Sequence, residues 1–138
     1  MIRGVLFDLM GTLLIEDTLS PGDPFGNFHR VLCEAGLTMD RDELLAALGR
    51  TPPAAVPPPA TPFVDRLLRI CAVGGLHLSL AEAGALAEAI CYGSNRVLMA
   101  DPEAAGAMQA MRHYGSVGLV TNYDPPPNIH YLLQRERW

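Results

Sequence analysis

Apolar and polar positions divide the chain into two strand-like runs with a series of helical stripes between and after them. Residues 5–12, Val-Leu-Phe-Asp-Leu-Met-Gly-Thr, open with an apolar run that stops at Asp8 and passes into a Gly-Thr turn. A strand of a parallel sheet is covered on both faces, so it reads as a continuous apolar run rather than an alternating one. Residues 116–122, Ser-Val-Gly-Leu-Val-Thr-Asn, repeat the pattern and end on a hydroxyl and an amide.

Helical registers recur between the two runs. Asp23-Pro24 reads as an N-cap and first helical residue, with Phe25, Phe28, Val31 and Leu32 on one face and Gly36 as the stop. Asp40 and Glu43 have capping-box spacing; Leu44, Leu45 and Leu48 follow, and Gly49 is the expected end. Thr61-Pro62 opens a third helix with Val64, Leu67, Leu68 and Cys71 in register before Gly74-Gly75. Ser79 and Glu82 open a fourth, carrying Ala83, Leu86, Ala87, Ile90 and Cys91. Asp101-Pro102 starts a fifth that runs to about Gly115, and Asp124-Pro125 starts a sixth that runs toward Trp138. The stretch Thr51–Pro62 holds six prolines and reads as a stiff extended loop.

Composition narrows the classes of function. A chain of 138 residues with 49% hydrophobic content suits one ordinary globular domain. The net charge is −5 and no basic cluster occurs, which argues against nucleic acid as a main partner and against a basic membrane-surface helix. No uncharged apolar stretch is long enough to cross a bilayer, and the start of the chain does not read as a signal peptide. Cys33, Cys71 and Cys91 are odd in number and widely spaced, without a Cys-x-x-Cys pair. They read as buried, reduced thiols of a cytoplasmic protein rather than as a disulfide framework or a zinc site. All ten cationic residues are Arg.

A parallel strand delivers its last residue to the carboxyl edge of the sheet, where open α/β folds bind ligands. A carboxylate there, next to a glycine that permits close backbone approach, is placed to act as a nucleophile or a metal ligand. It is equally placed to cap the turn that follows. Asn122 and Asp124 carry a similar second reading, as turn and N-cap residues.

Phe7-Asp8-x-x-Gly11-Thr12-Leu13 and Gly118-Leu119-Val120-Thr121-Asn122 together resemble motifs I and II of the haloacid dehalogenase superfamily. The resemblance implies an α/β fold with a Rossmann-like parallel sheet, here incomplete, and an inserted all-helical cap. Residues 1–15 and 100–138 would form the partial core and 16–99 the cap. It implies a hydrolase acting on a small-molecule phosphate ester or carbon–halide substrate. Asp8 would be the nucleophile. Thr121, Asn122, Gly11 and Thr12 would bind the phosphate or substrate. Mg²⁺ would be held by Asp8 and the backbone carbonyl of Met10.

Three departures from the pattern bear on activity. Phosphatases of the superfamily usually carry a second Asp two residues after the nucleophile as general acid, and here that position is Met10. Members resembling 2-haloacid dehalogenases and phosphonatases also lack it. The cation of motif III is usually Lys, and the chain has none. The acidic motif IV is not matched by Asp124 or Glu136, which follow motif II too closely. The expectation is therefore a truncated hydrolase, weakly active or inactive by itself and prone to self-association through an open sheet edge. The alternatives are a non-catalytic relic or binding protein of the same fold, and a helical interaction module.

Overall fold

The computed structural model describes residues 3–17, 22–57, 59–121 and 126–138. Its first strand, β1 (Gly4–Asp8), pairs in parallel with β4 (Ser116–Val120), in a register that sets Gly4 opposite Ser116 and Asp8 opposite Val120. A second pair, antiparallel, joins β2 (Leu14–Glu16) to β3 (Leu98–Ala100). The sequence pattern did not reveal β2 and β3. Each is three residues long, and their partner strands are far apart in sequence, so no local periodicity marks them. They tie together the two ends of the helical segment.

That segment contains α1 (Pro24–Glu34), α2 (Arg41–Arg50), α3 (Pro62–Val73) and α4 (Leu80–Ser94). All four start where local chemistry dictates. The carboxylate of Asp23 accepts from the Gly26 N–H and the hydroxyl of Thr61 from the Val64 N–H. Asp40 with Glu43 and Ser79 with Glu82 both form complete capping boxes. The Asp23 carboxyl is held below the ordinary carboxylate range by the Gly26 amide and by Arg41. That of Glu82 is lowered by the Ser79 amide and hydroxyl. Inward stripes from these helices form one buried cluster that includes Leu32, Leu44, Leu67, Ile70, Cys71 and Ala87. Burial pushes the Cys71 thiol pKa up.

Two helix ends differ from the expected ones. α2 continues through Gly49 to Arg50, because a helix tolerates a single glycine at a modest energetic cost. α5 spans only Ala104–Arg112. Asp101 Oδ1 accepts from the Glu103 N–H at 2.8 Å, closing a turn before the helix begins, so the Asp-Pro pair starts a turn rather than the helix itself. Cys71 and Cys91 are buried, but Cys33 lies on the outward side of α1 and is exposed, contrary to the expectation. Leu45 of α2 is exposed as well, whereas Leu44 and Ala47 carry the buried face.

The proline-rich stretch after α2 is held at its start. Arg66 donates to the carbonyls of Thr51 and Leu48 at 2.6 and 2.7 Å, and Arg69 donates to that of Pro52 at 3.0 Å.

A separate buried cluster, Leu9, Leu13, Leu14, Ala104 and Leu132, lies with the parallel strands. Phe7 and Leu119 reach it from the sheet, Met108 from α5, and Ile129 from α6 (Pro126–Glu136), with Trp138 beyond that helix. Asp124-Pro125, the expected start of α6, lies outside the described residues. Among the described residues the other face of the β1–β4 pair is left uncovered. Leu6 remains 70% exposed and Val120 56% exposed. Leu6 leans over Gly118, where an added Cβ would stand 3.0 Å from Leu6 Cδ2.

Exposed apolar side chains on a two-stranded ribbon favour pairing with other copies. The double variant Leu6→Glu, Val120→Glu is therefore expected to shift the chain toward monomer in light scattering coupled to size exclusion. Equal apparent mass for the parent chain and the double variant across a tenfold concentration range would count against association through this face.

α6 also grips the base of the helical segment. Asn95, at the start of a single 3-10 turn (Asn95–Val97), is fully buried, and its Nδ2 donates to Asn128 Oδ1 at 3.1 Å. Arg135 donates to the carbonyls of Asn95 and Leu98, both at 2.8 Å.

Candidate active site

The parallel register brings the two site-type strand ends together. Asp8 is the last residue of β1, Val120 opposite it is the last of β4, and Thr121 follows directly. Both strands run the same way, so both carboxyl ends open on the same edge of the sheet. Asp8 is exposed and Thr121 is partly buried. Asn122 lies outside the described residues.

The turn after β1 is tightly closed. Gly11 donates to the Leu14 carbonyl at 2.7 Å, while the N–H groups of Leu13 and Leu14 both donate to the Leu9 carbonyl, at 3.0 and 2.8 Å. Buried Leu13 and Leu14 anchor it below, and Gly11 and Thr12 face solvent. The Gly11 amide is thus engaged within the turn, not presented to the strand end. The turn's bonds use the carbonyls of Leu9 and Leu14 rather than that of Met10. Asp8 and the Met10 carbonyl are oxygen donors of the kind a hard cation takes. Among the described residues no group of three or more His, Cys, Asp or Glu side chains is gathered to complete such a site.

Gly11 has φ +74°, with nothing within 4 Å of an added Cβ. Only the left-handed backbone therefore opposes a side chain there, at a cost of roughly 1–2 kcal/mol. Gly11→Ala is expected to lower unfolding free energy by about that amount in urea titration. An unchanged midpoint would mean that the turn relaxes to another conformation.

Beside this turn lies a cleft of about 680 Å³. Its walls are Phe25 and Phe28 of α1, Phe63 of α3, Leu48, Ile90 and Met10. The rings of Phe25 and Phe28 stand 6.2 Å apart by centroid, and those of Phe28 and Phe63 6.5 Å. Polar groups at the wall are few: Arg66, which already donates to two backbone carbonyls, and Ser94. Sequence reasoning named no residue here. A usable signal was present, because α1 and α3 both begin with the same capped pair, Asp23-Pro24-Phe25 and Thr61-Pro62-Phe63, which places a phenylalanine in each first turn.

No protein-family profile matches the chain, and no curated protein matches it. Among solved structures it is similar to the crystal structure of a predicted phosphoglycolate phosphatase from Haemophilus somnus 129pt, at a TM-score of 0.50 and 17% identity. The match covers 97% of this chain and 56% of that one, so the chain spans a little over half the length of that relative. The likeness shows the fold alone: a mixed α/β architecture like that of the phosphatase, with, among the described residues, a small parallel sheet and six α-helices. No helix among the described residues is long and apolar enough to cross a membrane.

Proposed function

We propose that the chain is a haloacid-dehalogenase-like hydrolase whose nucleophile is the carboxylate of Asp8, with residues 1–15 and 100–138 forming the catalytic core and 16–99 its cap. The observation that carries this reading is the parallel register that sets Asp8 opposite Val120, one residue before Thr121. An Asp8 oxygen attacks the electrophilic centre, and the leaving group departs with its bonding pair. The covalent intermediate, an acyl phosphate or an ester, is then hydrolysed by water. Thr121 donates its hydroxyl to the group under attack, and Asn122 and Thr12 add polar contacts. Asp8 and the Met10 carbonyl are the residues that would hold Mg²⁺, which when bound would offset charge between carboxylate and phosphoryl oxygens.

Met10 decides which leaving groups are accessible. It cannot transfer a proton, and general acid catalysis contributes roughly 10² to 10⁴-fold. An alkoxide needs that proton, whereas a halide or a strongly acidic alcohol does not. Simple alkyl phosphates are therefore poor substrates on this reading. The chain alone turns over slowly, below the roughly 10 s⁻¹ typical of enzymes.

Water labelled with ¹⁸O separates the branches. With 2-chloropropionate, water attacks the Asp8 ester carbonyl and the label enters the Asp8 carboxylate, adding mass to its peptide. With 4-nitrophenyl phosphate and Mg²⁺, water attacks phosphorus and the label leaves in phosphate. Label in Asp8 is specific to an aspartyl ester, whereas label in phosphate follows from any attack of water on phosphorus and supports the aspartyl mechanism only if turnover is lost in Asp8→Asn. Absence of product from both, together with no Mg²⁺-dependent binding of vanadate, would favour the second reading, a non-catalytic protein of the same fold. That reading draws on the lack of Lys in the chain and of an acidic cluster among the described residues.

A further inference from the structure

We infer that the cleft lined by Phe25, Phe28 and Phe63 receives a ring-bearing, apolar body of the substrate, so that the preferred substrates are arylated or bulky apolar compounds rather than small polar acids. The inference rests on the Asp8 reading for its reactive end, but the cleft itself stands on separate observations.

Size comes first. At about 680 Å³ the cleft falls within the roughly 300–1,000 Å³ that takes a drug-sized ligand. A two- or three-carbon acid would leave most of it filled with water against phenyl rings. Chemistry comes second. Three phenylalanines, Leu48 and Ile90 supply the walls; the rings stand 6.2 and 6.5 Å apart, the Arg41 guanidinium lies over the Phe25 ring at 5.1 Å, and a guest ring would meet the parts of the phenyl groups that line the cleft. Arg66 carries the charge at the wall, and two of its donors are committed to the Thr51 and Leu48 carbonyls. The guanidinium thus fixes the start of the proline-rich loop, whose Pro53 also lines the cleft.

Position comes third. Met10 lines the cleft and stands two residues after Asp8. Two residues span at most about 7 Å between Cα atoms, so the backbone that carries Asp8 lies within that distance of the backbone of cleft-lining Met10. A substrate reaching from Asp8 past Met10 would place its non-reacting part among the phenyl rings. Burying that part would supply binding energy remote from the reacting atoms, which orients the reacting group.

The test compares probes by isothermal titration, with Mg²⁺ present. Phenylphosphonate and methylphosphonate share a head and differ by the ring. 1-Naphthol carries rings and no head. The cleft reading expects phenylphosphonate to bind at least tenfold tighter than methylphosphonate, and 1-naphthol to bind detectably. Ser94→Trp, which fills the cleft from the end of α4, should abolish both the ring preference and naphthol binding. Phe63→Ala should weaken the ring-bearing probes several-fold and leave methylphosphonate unchanged. The wild-type ratio needs no variant and stands even if Ser94→Trp fails to fold. Equal affinity for the two phosphonates, or a ring preference that survives in a folded Ser94→Trp protein, overturns the inference. Naphthol binding that is lost in Ser94→Trp, with neither phosphonate bound, supports the apolar site and rejects the phosphate-ester branch of the Asp8 reading instead.

Discussion

Asp8→Asn is expected to remove the chain's turnover while leaving its melting temperature unchanged. The carboxamide keeps the shape of the side chain but is not a nucleophile. Loss of a nucleophile that forms the covalent intermediate costs on the order of 10³-fold or more in rate. The stability half of the expectation follows from exposure: Asp8 faces solvent at the end of β1. Surface substitutions away from special contacts stay within about 0.5 kcal/mol. The two measurements are initial rates on 2-chloropropionate and 4-nitrophenyl phosphate, and a thermal melt. They also separate the two sequence readings of this carboxylate. Lost rate with an unchanged melt is the result for a nucleophile. An unchanged rate with a fallen melt would identify a turn cap.

Leu67→Ala is expected to produce the largest loss of stability. Leu67 is fully buried in the cluster shared by the four helices of the insert. Truncating a buried leucine costs about 2–5 kcal/mol, a large share of the 5–15 kcal/mol typical of a whole domain. The second cluster, around Leu9 and Leu132, shares no buried residue with the first. Trp138, the sole tryptophan of the chain, packs against that second cluster. Its fluorescence therefore follows the sheet region, while far-ultraviolet circular dichroism follows mostly the helices. If the insert is a cap with its own core, the variant shifts the dichroism transition in urea well below the fluorescence transition. Coincident transitions would make the molecule a single cooperative unit and reject the division at 16–99.

Legibility in the sequence tracked the range of the interaction. Helix starts at Asp23, Asp40, Thr61 and Ser79 were readable because each is closed by side chains within three residues. The strands ending at Asp8 and Val120 were readable as apolar runs, although only Phe7 and Leu119 reach the buried cluster from them and Leu6 stays in water. The β2–β3 pair was not readable, because residues 14–16 find their partners at 98–100. The Asp101-Pro102 start was misplaced because Asp-Pro serves a turn as well as a helix. For the candidate site, the sequence yielded Asp8 and Thr121 as strand ends. It did not yield the cleft, whose walls come from α1, α2, α3, α4, Pro53 and the turn at Met10 and exist only once those elements pack.

The grip of Arg135 on Asn95 and Leu98 has a consequence for biosynthesis. During translation the four insert helices emerge before α6, and their caps and shared core need nothing made later. The carbonyls of Asn95 and Leu98 have no guanidinium to meet until residue 135 has left the ribosome. β1 likewise waits for β4, since Gly4 pairs with Ser116. A nascent chain would thus carry Phe7 uncovered for most of its synthesis and, once α4 and β3 are out, a formed helical lobe fastened only through the β2–β3 pair. Ribosome-bound intermediates of this kind are natural clients for chaperones that recognise short apolar segments.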